Sequence, residues 1–218
     1  MIEVGMLTVG PVQENCFLVR REGADRAVIV DPGEEAPRLL QAIEQWGVTL
    51  DAILLTHTHF DHVGAVAPVA RATGAPVYCP QIERPVLADI MRYVPWPGFG
   101  PFESYEADHL VAGGERLTLA GIDFDVRFTP GHSPGHVTWA TSDEDDTALF
   151  SGDVLFQQSI GRTDLPGGDH ARLMQSIQEL LDAYPDDATV YPGHMGITTL
   201  GAERRTNPFL AELAAGGS

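Results

Sequence analysis

Short runs of aliphatic and β-branched residues, each closed by a polar or glycine turn, recur along this 218-residue chain. They predict strands over 16–20, 27–31, 52–56, 77–79, 124–129, 137–141, 147–151 and 189–191. Between them lie stretches with helical spacing. Ala36–Trp46 closes on Gly47, 62–73 closes on Gly74, and His170–Ala183 closes on Tyr184-Pro185. A further helix is expected over Leu200–Thr206, ahead of Asn207-Pro208-Phe209-Leu210, and residues 214–218 are expected to fray. Strands and helices alternate, which predicts an α/β layer architecture in one domain spanning residues 1–213. Residues 95–108 (PWPGFGPFESYEAD) follow neither period and read as a long loop, placed to serve as a lid, a substrate wall or a dimer contact.

Composition narrows the function classes. Lys and Arg number 13 against 31 Asp and Glu, a formal charge of −18 that repels polyanions, so no nucleic-acid partner is expected. Much of this charge reads as solvated surface, as in Asp143-Glu144-Asp145-Asp146. No apolar stretch approaches the roughly 20 residues of a membrane span, so a cytoplasmic protein without a membrane partner is expected. Cys16 and Cys79 sit in strand-like segments and read as small core residues, not as a disulfide or redox pair.

The chemistry concentrates in Thr56-His57-Thr58-His59-Phe60-Asp61-His62, directly after an apolar strand. Packing does not call for three histidines and an aspartate within six residues. On an extended segment His57 and His59 point the same way and can share one ion. Asp61 and His62, where a helix begins, can face a second ion at the spacing of about 3.5–4 Å usual in two-metal sites. His132, Asp153 and His194 each follow a β-rich run and a glycine, which lets the chain turn sharply at a sheet edge. Imidazoles and carboxylates without thiolate suit zinc, iron, manganese or cobalt. His136 is expected to orient a neighbour, His109 and His170 are expected at the surface, and Asp31 reads as a buried support beneath the metal loop or as a plain turn former.

The succession VDPG, THTHFDH, GHSPGH, SGD and YPGH across residues 31–194 resembles the ordered motifs of the metallo-β-lactamase superfamily. The segments GPVQENC, SIGRTDLPGG and ERRTNPFL resemble its glyoxalase II branch, in its short single-domain bacterial form. That resemblance implies an αββα sandwich. It implies two divalent ions, zinc first with iron or manganese as alternatives. His57, His59 and His132 would hold one, Asp61, His62 and His194 the other, and Asp153 would bridge them. Asp61 would also serve catalysis, orienting a metal-bridging hydroxide and accepting a proton.

The implied reaction is hydrolysis of a small-molecule thioester, S-(2-hydroxyacyl)glutathione by preference. Full-length glyoxalase II enzymes add a C-terminal helical domain that grips glutathione. This chain ends soon after Asn207-Pro208-Phe209-Leu210, and two tyrosines those enzymes use on the tripeptide are replaced here by Asp164 and Gly196. Arg162 stands where they place a basic glutathione contact, and either binds a substrate carboxylate or pairs with Asp164 to tie down its loop. Persulfide dioxygenases share the fold and the GRTD loop. They use one iron, for which His57, His132 and Asp153 would serve. Lactonase or phosphodiesterase activity is a further alternative.

Overall fold

The structure is a computed structural model that describes residues 1–94, 96–143 and 146–211. Pro95 of the aromatic loop, Glu144 and Asp145 of the acidic run, and the C-terminal tail from 212 lie outside the described residues.

The first half of the chain builds one six-stranded sheet in simple sequential order. Its strands are β1 (Ile2–Val9), β2 (Glu14–Arg21), β3 (Arg26–Val30), β4 (Thr49–Leu54), β5 (Val77–Pro80) and β6 (His109–Val111). The second half contributes β7 (Arg116–Leu119), β8 (Ile122–Phe128), β9 (Val137–Ser142) and β10 (Thr147–Gly152). A small hairpin follows, β11 (Leu155–Phe156) and β12 (Ser159–Ile160), then β13 (Thr189–Pro192) and β14 (Thr198–Thr199). The second sheet runs in the order β14-β13-β10-β9-β8-β7. The helices are α1 (Ala36–Trp46), α2 (Phe60–Val63), α3 (Val66–Thr73), α4 (Arg84–Leu87), α5 (Ile90–Tyr93), α6 (His170–Ala183) and α7 (Leu200–Thr206). A 3₁₀ turn over Pro208–Leu210 follows α7.

The period of two along each strand sorts the core into layers. Phe17, Val19, Val28, Val30, Ala52 and Leu54 face Phe124, Val126, Trp139 and Phe150 between the sheets. The alternate residues Cys16, Leu18, Ala27, Ile29 and Ile53 pack against α1 and α3, and Leu149 and Val190 pack against Leu173, Ile177 and Leu180 of α6. The result is the αββα sandwich expected. Trp139 fastens the sheets by donating from Nε1 to the Leu55 carbonyl at 2.9 Å. Cys16 and Cys79 are buried free thiols, as expected.

The helix expected over 62–73 is corrected to two, α2 and α3. The Ala65 N–H bonds to the Pro32 carbonyl at 3.0 Å instead of continuing the helical ladder. Gly64 packs so closely on the Gly33 carbonyl and the Phe102 ring that a side chain has no room. Strand β1 did not stand out in the sequence because Gly5 interrupts its apolar run, and Gly5 is needed where the Trp46 ring covers the strand. From Trp96 to Asp108 the chain carries neither helix nor strand, as the loop reading requires. Among the described residues no helix is long and apolar enough to cross a membrane.

Candidate metal centre

The loops leaving the C-terminal ends of β3, β4, β8, β10 and β13 meet at one edge of the sandwich. They carry Asp31, the 56–62 segment, His132, Asp153 and His194. Strand β4 ends at Leu54, so the 56–62 segment is not itself a strand. Its histidines nevertheless converge as an extended segment would place them. His57 Nε2 lies 3.1 Å from His59 Nδ1, which lies 2.8 Å from His132 Nε2. Asp61, His62 and His194 form a second convergent group, with His194 Nε2 3.3 Å from Asp61 Oδ2.

Asp153 spans both groups. Its Oδ2 is 3.4 Å from His132 Nε2 and 3.6 Å from His194 Nε2, while Oδ1 is 3.4 Å from His62 Nε2. Gly193 lets the carboxylate sit there, because any side chain at 193 would strike Asp153 Oδ1 and the His62 ring. Gly152, at φ 46°, makes the turn into Asp153 with Thr56 and His136 packed where a Cβ would stand.

In four of the five ligand rings the outward-facing nitrogen has a partner that fixes its proton. Asp31 accepts from the Thr56 N–H at 2.8 Å and the Thr56 hydroxyl at 2.6 Å. It also accepts from His62 Nδ1–H at 3.0 Å. With its own proton given to Asp31, Thr56 Oγ1 accepts from His57 Nδ1–H at 3.1 Å. His132 Nδ1–H donates to the Arg162 carbonyl at 2.8 Å, and His194 Nδ1–H to the Gln13 carbonyl at 3.2 Å. The Nε2 atoms of these four rings therefore carry lone pairs aimed inward whenever the rings are neutral. The GPVQENC segment holds the His194 loop further through Asn15, whose side chain donates to the Pro192 and Met195 carbonyls at 3.1 and 2.9 Å.

The two groups differ in charge. Burial and the surrounding imidazoles hold His57 well below the ordinary imidazole value, and burial with the neighbouring His132 pushes His59 down to about 4. Burial also disfavours a proton on His62 and His194, but the Asp153 and Asp61 carboxylates outweigh it and raise both rings above 6.5. Burial likewise opposes the charge on Asp153, yet His62, His132 and His194 keep its carboxyl well below the usual range.

These residues fit metal ions. Lone pairs of His57, His59 and His132 face one another within hydrogen-bond distance, and a proton on His59 Nδ1 satisfies at most one neighbour. His62 Nε2 and Asp153 Oδ1 are buried and make no hydrogen bond among the described residues. Cations at the two groups resolve both conflicts, and the donor set suits zinc, iron, manganese or cobalt.

All seven residues expected as ligands are thus brought together, with Asp31 beneath them as a buried support and not a plain turn. His136 is fully buried and accepts from the Asp153 N–H at 3.1 Å, so it orients a neighbour as expected. His109 and His170 lie exposed, away from the cluster. Arg162 is drawn aside: its Nε and Nη2 donate to the two Asp164 oxygens at 2.6 and 2.7 Å, and its guanidinium lies 5.9 Å from the Trp96 ring. The structure realises the loop-tying alternative in this conformation. Trp96 and Phe99 cover Phe60, at ring separations of 6.1 and 4.8 Å, and so wall the 56–62 segment.

Two buried acids were not singled out in the sequence. Glu14 lies 3.8 Å from His62 Nδ1 with no side-chain hydrogen-bond partner among the described residues, and burial pushes its carboxyl well above the usual range. Glu83, also buried, is bound from both the 56–62 and the 132–136 loops.

A metal-binding His/Asp cluster at the edge of a four-layer sandwich defines a metallohydrolase class. The sequence profile of the metallo-beta-lactamase superfamily matches residues 9–194, and the chain belongs to that superfamily. YqgX of Bacillus subtilis, a probable metallo-hydrolase, is 41% identical over 209 residues, covering 94% of this chain and 95% of that protein. The hydroxyacylglutathione hydrolase GloC of Haemophilus influenzae is 36% identical over 211 residues, covering 96% and 98%. Among solved structures, the B3 metallo-beta-lactamase BLEG-1 superposes with a TM-score of 0.88 at 42% identity, covering 96% of this chain and 99% of that one. TTHA1623, solved in a di-iron-bound form, gives 0.82 at 42% identity, covering 95% and 100%. ETHE1 from Myxococcus xanthus gives 0.75 at 27% identity, covering 94% and 83%.

Proposed function

We propose that this chain is a thioesterase hydrolysing small 2-hydroxyacyl thioesters, S-(2-hydroxyacyl)glutathione in the first instance, with two divalent ions, zinc by preference. The observation that carries the reading is the single Asp153 carboxylate spanning the His57/His59/His132 and Asp61/His62/His194 groups. Divalent ions held by these residues would lower the pKa of a bound water toward roughly 7 and would polarise a carbonyl oxygen. Asp61 is held as a carboxylate: burial opposes the charge, but His62 and His194 outweigh it. Its Oδ2 is a proton acceptor beside His194, suited to orienting a water and taking its proton. Phe60 and the Trp96–Phe99 wall shield one side from solvent. A thiolate leaves without prior protonation, so the reading requires no general acid. The hydroxyacylglutathione hydrolase relative supports it. Arg162 has its Nε and Nη2 engaged by Asp164 and not by a substrate, so thioester cleavage has more support than the identity of the carrier thiol.

The test is hydrolysis of S-D-lactoylglutathione by protein of measured metal content, followed by loss of thioester absorbance. Turnover with two equivalents of metal, abolished by chelation and restored by zinc, supports the reading. One equivalent of iron without hydrolysis, and oxygen uptake on glutathione persulfide, supports instead a persulfide dioxygenase with a single iron at His57, His132 and Asp153. Cleavage of a β-lactam in place of the thioester would favour the activity named for BLEG-1.

A further inference from the structure

Glu83 lies immediately before α4 with only 4% of its surface exposed. Its carboxylate is claimed by two loops that are far apart in sequence. Oε2 accepts from the Thr58 hydroxyl at 2.8 Å, while Oε1 accepts from the Ser133 hydroxyl and the Gly135 N–H, each at 2.7 Å. Thr58 stands between His57 and His59, and Ser133 follows His132. The three residues that converge on one metal position are therefore held in register by one carboxylate whose bonds go to their chain neighbours. Two donors on one oxygen and a third on the other satisfy this acid, and among the described residues no cationic side chain pairs with it.

We infer that Glu83 is a positioning residue for the His57/His59/His132 group, setting the distance between the 56–62 and 132–136 loops, while in the other group His62 is oriented by Asp31 and His194 by Gln13. The inference concerns metal geometry and is independent of which bond the enzyme cleaves. Outer partners of metal ligands tune affinity by about 10–100-fold, and Glu83→Ala releases both loops from each other. Glu83→Gln preserves shape. Its amide oxygen still accepts from Ser133 and Gly135, and only the Thr58 contact has to reverse direction.

The experiment is cobalt loading of the full chain and of the E83A and E83Q variants, with two readouts. Chelator competition gives the affinity of each equivalent, and the hyperfine-shifted imidazole N–H resonances of His57, His132, His62 and His194 report each group separately. The expected result is a graded effect confined to one group. E83A weakens one equivalent by about 10–100-fold and moves the His57 and His132 resonances, E83Q restores affinity to within about tenfold, and His62 and His194 keep their resonances. If E83A does not fold, E83Q decides alone, through displaced His57 and His132 resonances. Wild-type resonances and affinities in a folded variant, or equal weakening of both equivalents, would overturn the inference. A lowered Tm with an unchanged cobalt spectrum overturns it as well, because that is the mark of a purely structural acid.

Discussion

Replacing Asp31 with asparagine alters one atom in kind and almost nothing in volume, yet it strikes the atom that decides a tautomer. Asp31 Oδ2 faces two donors, the Thr56 hydroxyl at 2.6 Å and His62 Nδ1–H at 3.0 Å. Oδ1 accepts from the Thr56 N–H at 2.8 Å and keeps that bond as an amide oxygen. An NH₂ in place of Oδ2 lets the hydroxyl rotate and accept, but it opposes the imidazole N–H. His62 then moves its proton to Nε2, and the lone pair aimed at the metal is lost. The lost charge-assisted hydrogen bond costs about 1.5–3 kcal/mol, and at 1.36 kcal/mol per decade this weakens metal binding about 10–100-fold at the Asp61/His62/His194 group. The His57/His59/His132 group keeps its affinity, since Thr56 Oγ1 still accepts from His57 as the chain stands. Stepwise zinc titration against a chromophoric chelator separates the two equivalents. Asp31→Asn binding both at wild-type affinity would show that the carboxylate does not fix the His62 proton, and the argument would fail.

Three further outcomes are expected. In metal-free protein His62 and His194 are raised above 6.5, while His57 lies well below and His59 near 4. The raised rings carry protons at pH values below their folded pKa and must shed them to bind. Metal affinity at the Asp61/His62/His194 group therefore falls about tenfold per pH unit for each proton released once the pH drops below the raised pKa values of these rings, while His57 and His59, both lowered, are still neutral there. Calorimetry in buffers of different ionisation enthalpy measures those protons, and equal release by both equivalents refutes the assignment. Asp164→Ala frees the Arg162 guanidinium from its paired bonds and lowers KM for the anionic S-D-lactoylglutathione several-fold with little change in kcat; Arg162→Ala leaves KM within about twofold, and a large rise would return Arg162 to substrate binding. Asp153→Ala removes the carboxylate common to both groups and drops metal content below one equivalent along with hydrolysis; two retained equivalents by plasma mass spectrometry would remove Asp153 from the ligand set.

Much of this arrangement was legible because its signals are local. The period of two that sorts Phe17 and Val19 to one face and Cys16 and Leu18 to the other is written in consecutive residues, and so are the glycine ends of α1 and α3. The metal cluster announced itself because four of its members lie within six residues and the others follow glycines. The break at Gly64-Ala65 was hidden, since it is imposed by the Pro32 carbonyl reaching in from another loop. Glu83 was hidden for the same reason: its partners stand 25, 50 and 52 residues away, and a lone glutamate beside a helix start looks like surface. Arg162 was the reverse case, its partner only two residues on, which made the pairing visible in advance.

The division of the chain into two sheets has a mechanical consequence. Neither half owns a complete ligand group: His57 and His59 come from the first sheet and His132 from the second, while Asp61 and His62 come from the first and His194 from the second. Ions held between them act as rivets across the seam, and by mass action each adds to cohesion about 2.7 kcal/mol at one hundred times its Kd. A chain severed in the 112–115 link, between β6 and β7, should reassemble from its fragments more readily with zinc than with chelator. The same logic makes a chelator an agent that loosens the body of the protein as well as silencing its chemistry.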